Sequence, residues 1–467
     1  MSRPATAPAP ITKRPNILFI VTDDMGAWAM GSAGHPDART PHLDRLASEG
    51  TLLRQHFSAS AVCSPSRACI FTSRHCLEVG IPDFLCQDPE VGLDPQVPSI
   101  ASELKAAGYD TTLIGKWHLG HGKKFHPTRH GYNEFTGFLI GDDSGPLSSR
   151  DPVIEKDGRR SRVPGYTSDL LADYAIDFLR RDRASPFFLS LHFWAPHANQ
   201  GVSTEDGDRT WHPLKSEDWD LFKDIDPQIP NPDYPKLDIP RVKRMTREYL
   251  ASVHSVDRNI GRVLAQLEAQ GILDDTLIVF TSDNGYNLGH HGIWHKGNGW
   301  WILTDNRGDR PNLYDESMRV PALVRFPEKV KAGQDITSPN SSLDWLPTLL
   351  DYAGVNPSFT PRGQSLRAPL SGADAGPLRT IFGQYRMWDW NQTGADMRSW
   401  RTQEWKLMVD LKETVPNEFY ALHRDPCETT NLASSDDPAI RAAMRECKQA
   451  LYAYMKQIGD TPVPVYN

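Results

Sequence analysis

The feature that most constrains the fold of this chain is a series of short apolar runs that alternate with segments of helical periodicity. The first run, Ile17 to Val21, is continuous and rich in β-branched residues. A run of this kind is typical of a central parallel strand that is buried on both faces. Similar runs recur at 186–193 and 276–281, and amphipathic segments lie between them. This alternation continues to about residue 355 and predicts an α/β fold, in which a large mixed, mostly parallel sheet is sandwiched by helices.

The character of the sequence changes after about residue 376. Four strand-like runs follow one another there, at 381–387, 398–402, 406–411 and 419–422, and a helical segment follows at 437–458. Successive strands closed by a helix are typical of a separate α+β unit. We therefore expect a flexible N-terminus at 1–14, a large domain at 15–375 and a small C-terminal α+β subdomain with an antiparallel sheet at 376–467. Within the large domain, residues 51–58 predict a single strand.

The charge and hydropathy of the chain argue against nucleic-acid and membrane partners. Its 51 Lys and Arg residues are balanced by 59 Asp and Glu residues, without a block of like charge. Every apolar run falls well short of the roughly 20 residues that span a bilayer. Residues 1–14 lack the apolar core of a secretory signal, so we expect a cytoplasmic protein, or a periplasmic one if a signal has been removed. The six cysteines include no Cys-x-x-Cys pair and are expected to be free thiols.

Polar residues follow three of the predicted strands: Asp23 and Asp24, then His197, then Asp283 and Asn284. Parallel sheets bind ligands beyond the carboxyl ends of their strands, so we expect these side chains to meet at one edge of the sheet. Three carboxylates and an amide oxygen are a ligand set for a hard cation, Ca²⁺ or Mg²⁺. An Asp-Asp pair after a strand also occurs as a helix N-cap or a solvated turn, and the pair alone does not exclude this.

A cysteine lies in a second notable stretch. The run Cys63-Ser64-Pro65-Ser66-Arg67 places a thiol and a cation in a tight turn ahead of an apolar, helix-like segment. A cysteine near a helix N-terminus and a positive charge has a lowered pKa, which predicts a reactive thiol or a site of modification. A buried cysteine beside an ordinary surface arginine is the alternative.

The same five residues resemble the Cys-x-Pro-x-Arg signature of the type I, formylglycine-dependent sulfatases of the alkaline phosphatase superfamily. Further segments resemble the family's other motifs in the same order: the strand that ends at Asp23-Asp24, Gly115-Lys116-Trp117-His118-Leu119-Gly120, Ala195-Pro196-His197, Ser282-Asp283-Asn284-Gly285, Gly292-Ile293-Trp294-His295-Lys296, Tyr314–Pro321 and Arg424–Leu432. The resemblance covers nearly the whole chain. It implies an alkaline phosphatase-like fold, a catalytic sulfatase domain at 15–375, and hydrolysis of aryl or carbohydrate sulfate monoesters to an alcohol and inorganic sulfate.

The resemblance also implies the chemistry of the nucleophile. A formylglycine-generating enzyme would oxidise Cys63 to Cα-formylglycine, whose aldehyde is hydrated to a gem-diol. One hydroxyl would attack sulfur in line and the alcohol would leave. The second hydroxyl would then lose its proton, sulfate would depart and the aldehyde would return. A serine at this position would stop at a stable sulfate ester.

The residue roles follow from the same resemblance. One divalent cation, Ca²⁺ as the family usually carries or else Mg²⁺, would be held by the modified Cys63 with Asp23, Asp24, Asp283 and Asn284. Arg67 would fix the gem-diol, and Lys116 and Lys296 would hold the sulfate oxygens. His118 would be the base that releases sulfate, and His197 would contact the sulfate or the bridging oxygen and protonate the leaving group.

The substrate and two competing functions stay open at this point. Residues of the long loops are candidates for the cleft, namely Trp300, Trp301, Arg307, Arg310, Trp388 and Trp390. Aromatic rings there suit aryl, carbohydrate or choline-type esters. A phosphonate monoester or phosphodiester hydrolase of the same superfamily, and a non-catalytic protein that binds sulfated ligands, are the alternatives. The expected partners are a small-molecule or saccharide sulfate ester and the formylglycine-generating enzyme, and the oligomeric state is not readable from the sequence.

Overall fold

The computed structural model describes residues 14–85, 88–140, 149–199, 211–305, 308–374, 376–387 and 394–460. Its strands are β1 (Asn16–Thr22), β2 (Thr51–Leu53), β3 (His56–Phe57), β4 (Asp110–Lys116), β5 (Glu134–Phe138), β6 (Val153–Lys156), β7 (Arg159–Arg162), β8 (Phe187–His192), β9 (Thr276–Ser282), β10 (Ala322–Arg325), β11 (Gln334–Ile336), β12 (Asn340–Ser341), β13 (Ile381–Arg386), β14 (Asp396–Arg401), β15 (Trp405–Asp410) and β16 (Glu418–Ala421). Its α-helices are α1 (Pro41–Glu49), α2 (Cys63–Thr72), α3 (Ile100–Ala106), α4 (Thr167–Leu179), α5 (Ser216–Trp219), α6 (Ile239–Ala269), α7 (Asp315–Met318), α8 (Trp345–Ala353), α9 (Arg367–Leu370) and α10 (Pro438–Ile458). The N-terminus that we expect to be flexible lies almost wholly outside the described residues.

The centre of the fold is a large sheet. Among the described residues it has ten strands, in the order β11-β2-β10-β9-β1-β8-β4-β5-β6-β7. The five strands from β9 to β5 run parallel to one another. β10 runs antiparallel to β9 and to β2, and the β6–β7 hairpin is antiparallel at the other end. The predicted mixed, mostly parallel sheet is therefore confirmed.

Strand β1 shows why helices cover both faces of this sheet. Successive side chains of a strand point to opposite faces. Leu18 and Ile20 pack in the core cluster that contains the buried faces of α1, α4 and α6. Phe19 and Val21 pack in a second cluster, with α2, α3 and α8. Each face of β1 is fully buried, which explains why its sequence is apolar throughout rather than alternating.

The C-terminal part forms a separate small sheet, as predicted. Its four strands are antiparallel, in the order β13-β14-β15-β16. Helix α10 packs on this sheet through Leu451 and Met455, which contact the buried side of Leu407 and Phe419 in one cluster. Other residues of the small sheet, including Tyr385, pack against the segment that precedes α2.

The two longest helices are amphipathic. Helix α6 spans 31 residues and α10 spans 21, and each buries one face and exposes the other. No helix in the described part of the chain combines the length and the apolarity that a membrane crossing requires.

The β2–β3 region and the β6–β7 hairpin differ from the sequence prediction. The single strand expected at 51–58 is divided by a turn at Arg54 and Gln55, so that β2 joins the large sheet whereas β3 pairs with β12 in a separate two-stranded sheet. The ring of His56 in β3 forms a hydrogen bond with Asn340 of β12, a partner that no local pattern reveals. The β6–β7 hairpin was not predicted, although its turn, Asp157-Gly158, adopts the positive φ angles that this dipeptide favours.

Candidate active site

The carboxylates of the site directly follow two neighbouring parallel strands. β1 ends at Thr22 and β9 ends at Ser282, and these two residues face each other in the sheet register. Asp23 and Asp24 therefore emerge beside Asp283 and Asn284, as the sequence predicts from strand ends. Asp24 adopts a left-handed backbone, with φ of 67°, and its N–H donates to Asp283 Oδ1 at 3.2 Å. The four side chains are fully buried.

Helix α2 brings the cysteine to the same place, because Cys63 is its first residue. The first turn of α2 is attached to the end of β9: Ser66 Oγ donates to the carbonyl of Asp283, and Arg67 Nε donates to Asp283 Oδ2 at 2.8 Å. Cys63 Sγ consequently lies 3.3 Å from Asp23 Oδ1 and 4.0 Å from Asp24 Oδ1. The Arg67 guanidinium also donates to the carbonyl of Lys116 at 3.0 Å.

The predicted low pKa of the Cys63 thiol is wrong. Burial raises the pKa of Cys63 above its usual value, and the charge of Asp23 raises it further. Lys116 and Lys296 act in the opposite direction but do not outweigh these two effects. A helix N-terminus alone does not create a thiolate when the group is desolvated beside carboxylates.

Two buried lysines face the carboxylates and the thiol. Lys116, the last residue of β4, pairs with Asp23, and Lys296 pairs with Asp24. Lys296 Nζ also lies 2.8 Å from Cys63 Sγ. Burial alone would raise the pKa of Asp23, but the positive charges of Lys116 and its neighbours hold it well below its usual range. The site therefore holds ammonium groups and carboxylates in direct contact with one another, and all of these side chains are buried.

The oxygen atoms of the site fit a divalent cation. Asp24 Oδ2 and Asn284 Oδ1 are buried, and neither has a hydrogen-bond partner among the described residues. Ligand atoms of Asp23, Asp24, Cys63 and His197 all lie within 4.8 Å of one another. Buried oxygens that lack donors are costly without a cation. Carboxylate and amide oxygens are the ligands that Ca²⁺ and Mg²⁺ prefer.

Asp283 lies next to these ligands but is held differently. Its Oδ2 accepts the hydrogen bond from Arg67, and its Oδ1 accepts one from the N–H of Asn284 at 2.8 Å. Burial and the charge of Asp23 raise the pKa of Asp283 to about 6, although Arg67 lowers it. Of the three carboxyl groups of the site, those of Asp23, Asp24 and Asp283, that of Asp283 has the raised pKa and takes up a proton most readily as the pH falls.

Two histidines flank the cluster in neutral forms. His118 Nε2 donates to the carbonyl of Leu85 at 2.9 Å, and its buried Nδ1 has no partner among the described residues. Burial lowers the pKa of His118 well below its usual value, so that Nδ1 is a free acceptor. His197 Nδ1 donates to the carbonyl of Ala198 at 2.6 Å, and its Nε2 lies 3.6 Å from Asp24 Oδ2. Burial lowers the pKa of His197 to about 4.

The loop residues expected in the cleft have different environments. Trp300 is 38% exposed, and its ring stacks on His295 at 6.0 Å, beside Lys296. Trp301 is half-buried and packs near Tyr234. Arg310 is tied to the small sheet, because it pairs with Glu418 and donates to the Tyr314 hydroxyl at 3.0 Å. Arg307, Trp388 and Trp390 lie outside the described residues.

Two residues near the cluster were missed by sequence reasoning. Tyr249 on α6 donates its hydroxyl to the carbonyl of Asp24 at 2.8 Å and accepts the Gly26 N–H at 3.0 Å, which supports the left-handed turn. It lies on the apolar face of a long helix, where no pattern distinguishes it from core. Trp194, whose ring lies 5.2 Å from Lys116 Nζ, does have a signal, because it directly precedes the Ala195-Pro196-His197 motif.

Comparison with known families gives a match over most of the chain. A family model described as Sulfatase matches residues 15–355. A second, described as N-sulphoglucosamine sulphohydrolase, C-terminal, matches residues 305–457 and so covers the small sheet and α10.

Individual proteins give similar matches. An N-acetylglucosamine-6-O-sulfatase of Bacteroides thetaiotaomicron is 29% identical, over 96% of this chain and 88% of its own length. A steryl-sulfatase of Mus musculus is 30% identical over 75% of this chain and 64% of its own length. A solved structure of a protein in complex with its substrate D-glucosamine-2-N,6-O-disulfate superposes with a TM-score of 0.81, at 26% identity, over 97% of this chain and 100% of that one. Together with the match over residues 15–355, these likenesses show that the chain belongs to the sulfatase family of the alkaline phosphatase superfamily.

Proposed function

We propose that the protein hydrolyses sulfate monoesters of a carbohydrate, releasing the sugar alcohol and inorganic sulfate. The observation that carries this proposal is the meeting of the Cys63 side chain with two carboxylates and the Lys296 ammonium in one buried site. The choice of a carbohydrate is supported by the relatives, which include a sulfatase named for N-acetylglucosamine and a structure in complex with a sulfated glucosamine. An exposed tryptophan beside the site, Trp300, provides a ring on which the apolar face of a sugar can stack.

We further propose that position 63 carries Cα-formylglycine and that the cation is Ca²⁺, with Mg²⁺ as the alternative. Asp23, Asp24, Asp283 and Asn284 would hold the cation, which would supply charge neutralisation while the aldehyde hydrate supplies the attacking hydroxyl. The raised pKa of the Cys63 thiol supports this modification, because a thiol that resists ionisation is a poor nucleophile.

The chain's own residues explain how an anionic ester is held. Lys116 and Lys296 are buried and aim their ammonium groups at the atoms around Cys63 Sγ, so a sulfate group at that position would meet two positive charges. Charges preorganised in a dry site stabilise the charge that develops as the S–O bond breaks. Arg67 is fixed by Asp283 and by the Lys116 carbonyl, and from there it can donate to an oxygen at position 63.

Proton transfer is assigned to the two histidines. His118 keeps Nδ1 free because Nε2 donates to Leu85, so it can accept the proton that must leave before sulfate is released. His197 lies at the other side of the cluster, with Nε2 facing Asp24. It would contact the bridging oxygen. Because the one proton of the neutral ring is on Nδ1, Nε2 would first take up the proton that the attacking hydroxyl releases and would then give it to the departing alcohol.

A substrate screen tests the proposal. Glucosamine 6-sulfate, N-acetylgalactosamine 6-sulfate, p-nitrophenyl sulfate and a steryl sulfate should be compared by release of inorganic sulfate, with a phosphonate monoester as a separate arm. We expect the highest kcat/KM on an amino-sugar sulfate. Faster turnover of the phosphonate would overturn the sulfate-ester assignment, and preference for the steryl ester would overturn the carbohydrate assignment.

The nucleophile has its own test. Mass spectrometry of the peptide containing Cys63, from protein made in its native host, should show a loss of roughly 18 Da relative to the thiol, as expected for conversion of a thiol to an aldehyde. A peptide that keeps the thiol mass would contradict the proposed modification and favour a protein that binds sulfated ligands without hydrolysis.

A further inference from the structure

We propose that Ser317 is a positioning residue for Lys296, acting through Asn287 and Asn312. This inference deepens the proposed function, because it rests on the role given there to Lys296. None of these three residues contacts the thiol or the carboxylates in the described hydrogen-bond network, and the sequence predicts a role for none of them, although Ser317 lies within the motif at Tyr314–Pro321. Their effect is on the backbone that carries the lysine.

Lys296 needs such support because of where it lies. It follows β9 on an irregular turn, outside any helix or strand. Its ammonium group must nevertheless reach Asp24 and come within 2.8 Å of Cys63 Sγ. A functional side chain on a loop is held in place only if the loop backbone is fixed by contacts around it.

Two buried amides provide these contacts. Asn287 Nδ2 donates to the carbonyl of His295 at 2.6 Å, and Asn312 Nδ2 donates to the carbonyl of Lys296 at 3.1 Å. The carbonyls of the two peptide units that flank the Cα of Lys296 are therefore each held by a buried amide. Both asparagines are fully buried, so water does not compete for these hydrogen bonds.

The hydroxyl of Ser317 joins the two amides. Ser317 Oγ donates to Asn312 Oδ1 at 2.6 Å and accepts from Asn287 Nδ2 at 2.7 Å. The hydroxyl therefore helps to orient both side chains. Together with the N–H of Tyr314, which donates to Asn312 Oδ1 at 3.3 Å, it holds the oxygen end of Asn312 so that the amide end faces the lysine turn, and it accepts one hydrogen of the Asn287 amide. Ser317 is itself fully buried in α7.

The backbone of Ser317 is attached to the other half of the site. Its carbonyl accepts a hydrogen bond at 3.0 Å from the N–H of Gly285, which directly follows the predicted cation ligand Asn284. One residue thus connects the end of β9, which carries Asp283 and Asn284, to the turn that carries Lys296. This connection sets the distance between the ammonium group and the carboxylates.

A double-mutant cycle tests the inference on the purified, cation-loaded enzyme. Ser317→Ala, Lys296→Ala and the double variant are compared with wild type in p-nitrophenyl sulfate turnover. We expect Ser317→Ala to lower kcat about tenfold with little change in KM, because two buried hydrogen bonds are lost. In the Lys296→Ala background the same substitution should change kcat less than about twofold, since there is no ammonium group left to position. Where turnover of the Lys296→Ala variants is too slow for this assay, kcat is measured in the same cycle with a fluorogenic aryl sulfate, which detects lower rates.

Ser58→Ala is the matched control. Ser58 is also fully buried, and its hydroxyl donates at 3.0 Å to the carbonyl of Met318, the last residue of the same helix α7. Its removal should lower the melting temperature comparably and leave kcat within about twofold of wild type. If Ser317→Ala folds poorly, Asn287→Ala takes its place, because it removes a hydrogen bond to the same turn, the one to the carbonyl of His295. It should show the same non-additivity with Lys296→Ala.

Equal losses in both backgrounds would overturn the positioning role while leaving the proposed function intact. A Lys296→Ala enzyme with wild-type turnover would overturn the role given to Lys296 and with it the positioning role of Ser317, whereas a wild-type enzyme that releases no sulfate from any ester would overturn the proposed function. The two failures are therefore distinguishable in one set of variants.

Discussion

Cys63 is the residue on which the proposed chemistry depends, and its environment is unfavourable to a thiolate. Burial and the charge of Asp23 raise the pKa of the thiol, although two lysines and an arginine lie close by. The same neighbours suit the proposed oxygen nucleophile, because the buried ammonium groups, together with a cation bound by the carboxylates, would stabilise an oxyanion and an anionic ester. The residue types around Cys63 are therefore those that the proposed formylglycine would need.

Replacing Cys63 should separate binding from turnover. Cys63→Ala is expected to lower kcat below detection, whereas the affinity for a sulfate ester should change little because both lysines remain. Turnover is measured by sulfate release and affinity by calorimetry. Cys69→Ala is the control, since Cys69 is a fully buried cysteine on the same helix, and it should keep at least about half of the activity. Retained turnover in Cys63→Ala would refute the proposed nucleophile.

The proton held by Asp283 should make cation binding depend on pH. Its pKa is raised to about 6, mainly by burial and by the charge of Asp23, so a cation must displace a proton below that pH. We expect the affinity for Ca²⁺ to rise by up to about tenfold per unit as the pH increases from 5 to 6 and to level off above 7. Calorimetric titrations at several pH values measure this. The Asp283→Asn variant should bind more weakly and without this slope, and a flat profile in wild type would contradict the assignment.

Individual elements depend on groups contributed by distant elements. Helix α1 has no side-chain cap from its own N-terminal residue. Instead, the carboxylate of Asp257 on α6 accepts the N–H groups of His42 at 3.3 Å and of Leu43 at 2.8 Å. A buried acid therefore satisfies two donors that the first turn of every helix leaves free. This capping also attaches α1 to α6 on one face of the sheet.

Removal of this cap should destabilise the protein. Asp257→Ala is expected to lower the free energy of unfolding by about 1–3 kcal/mol, because the buried N–H of Leu43 and the partly buried N–H of His42 lose their acceptor. Asp257→Asn keeps one acceptor oxygen and should lose less. Urea denaturation followed by circular dichroism measures both. Equal stability of the alanine variant and the wild type would show that α1 does not depend on Asp257.

At the scale of the whole molecule, a buried network of charges joins the two sheets. Asp315, at the start of α7, accepts hydrogen bonds from Arg401 of β14 at 3.0 Å and from Lys406 of β15 at 2.8 Å. Lys406 also pairs with Glu428 at 2.6 Å. Because α7 carries Ser317 as well, the small sheet is attached directly to the element that we propose holds the lysine turn.

Breaking this network should be costly. Lys406→Met leaves the buried carboxylates of Asp315 and Glu428 without their shared partner, and we expect a loss of about 3–5 kcal/mol in the free energy of unfolding. Thermal and urea denaturation are the measurements. As a control, Asp436→Ala removes an exposed ion pair with Arg441 and should leave the midpoint unchanged. A Lys406→Met midpoint equal to wild type would mean that the network does not stabilise the junction.

Much of this architecture was predictable because its signals are local. The buried strand at Ile17 to Val21, the amphipathic helices and the polar residues at strand ends each depend on residues that are a few positions apart. The resemblance of the Cys63 turn and the later motifs to the sulfatases then identified most of the side chains that the structure brings together. The same local reasoning was wrong about the Cys63 pKa, because desolvation depends on the surroundings in three dimensions.

The sequence by itself therefore determined the periodicity of the strands and helices, the family, and the identity of the polar residues at the carboxyl edge. Only the tertiary structure decided the order of the strands, the capping of α1 by Asp257, the support of Asp24 by Tyr249, and the attachment of the Lys296 turn to Ser317. The reason is physical. Periodicity and turn propensity act between near neighbours, whereas these contacts join residues far apart along the chain, such as Arg67 and Asp283, which are 216 positions apart. Such pairs meet only when the whole sheet and its two helical layers have packed.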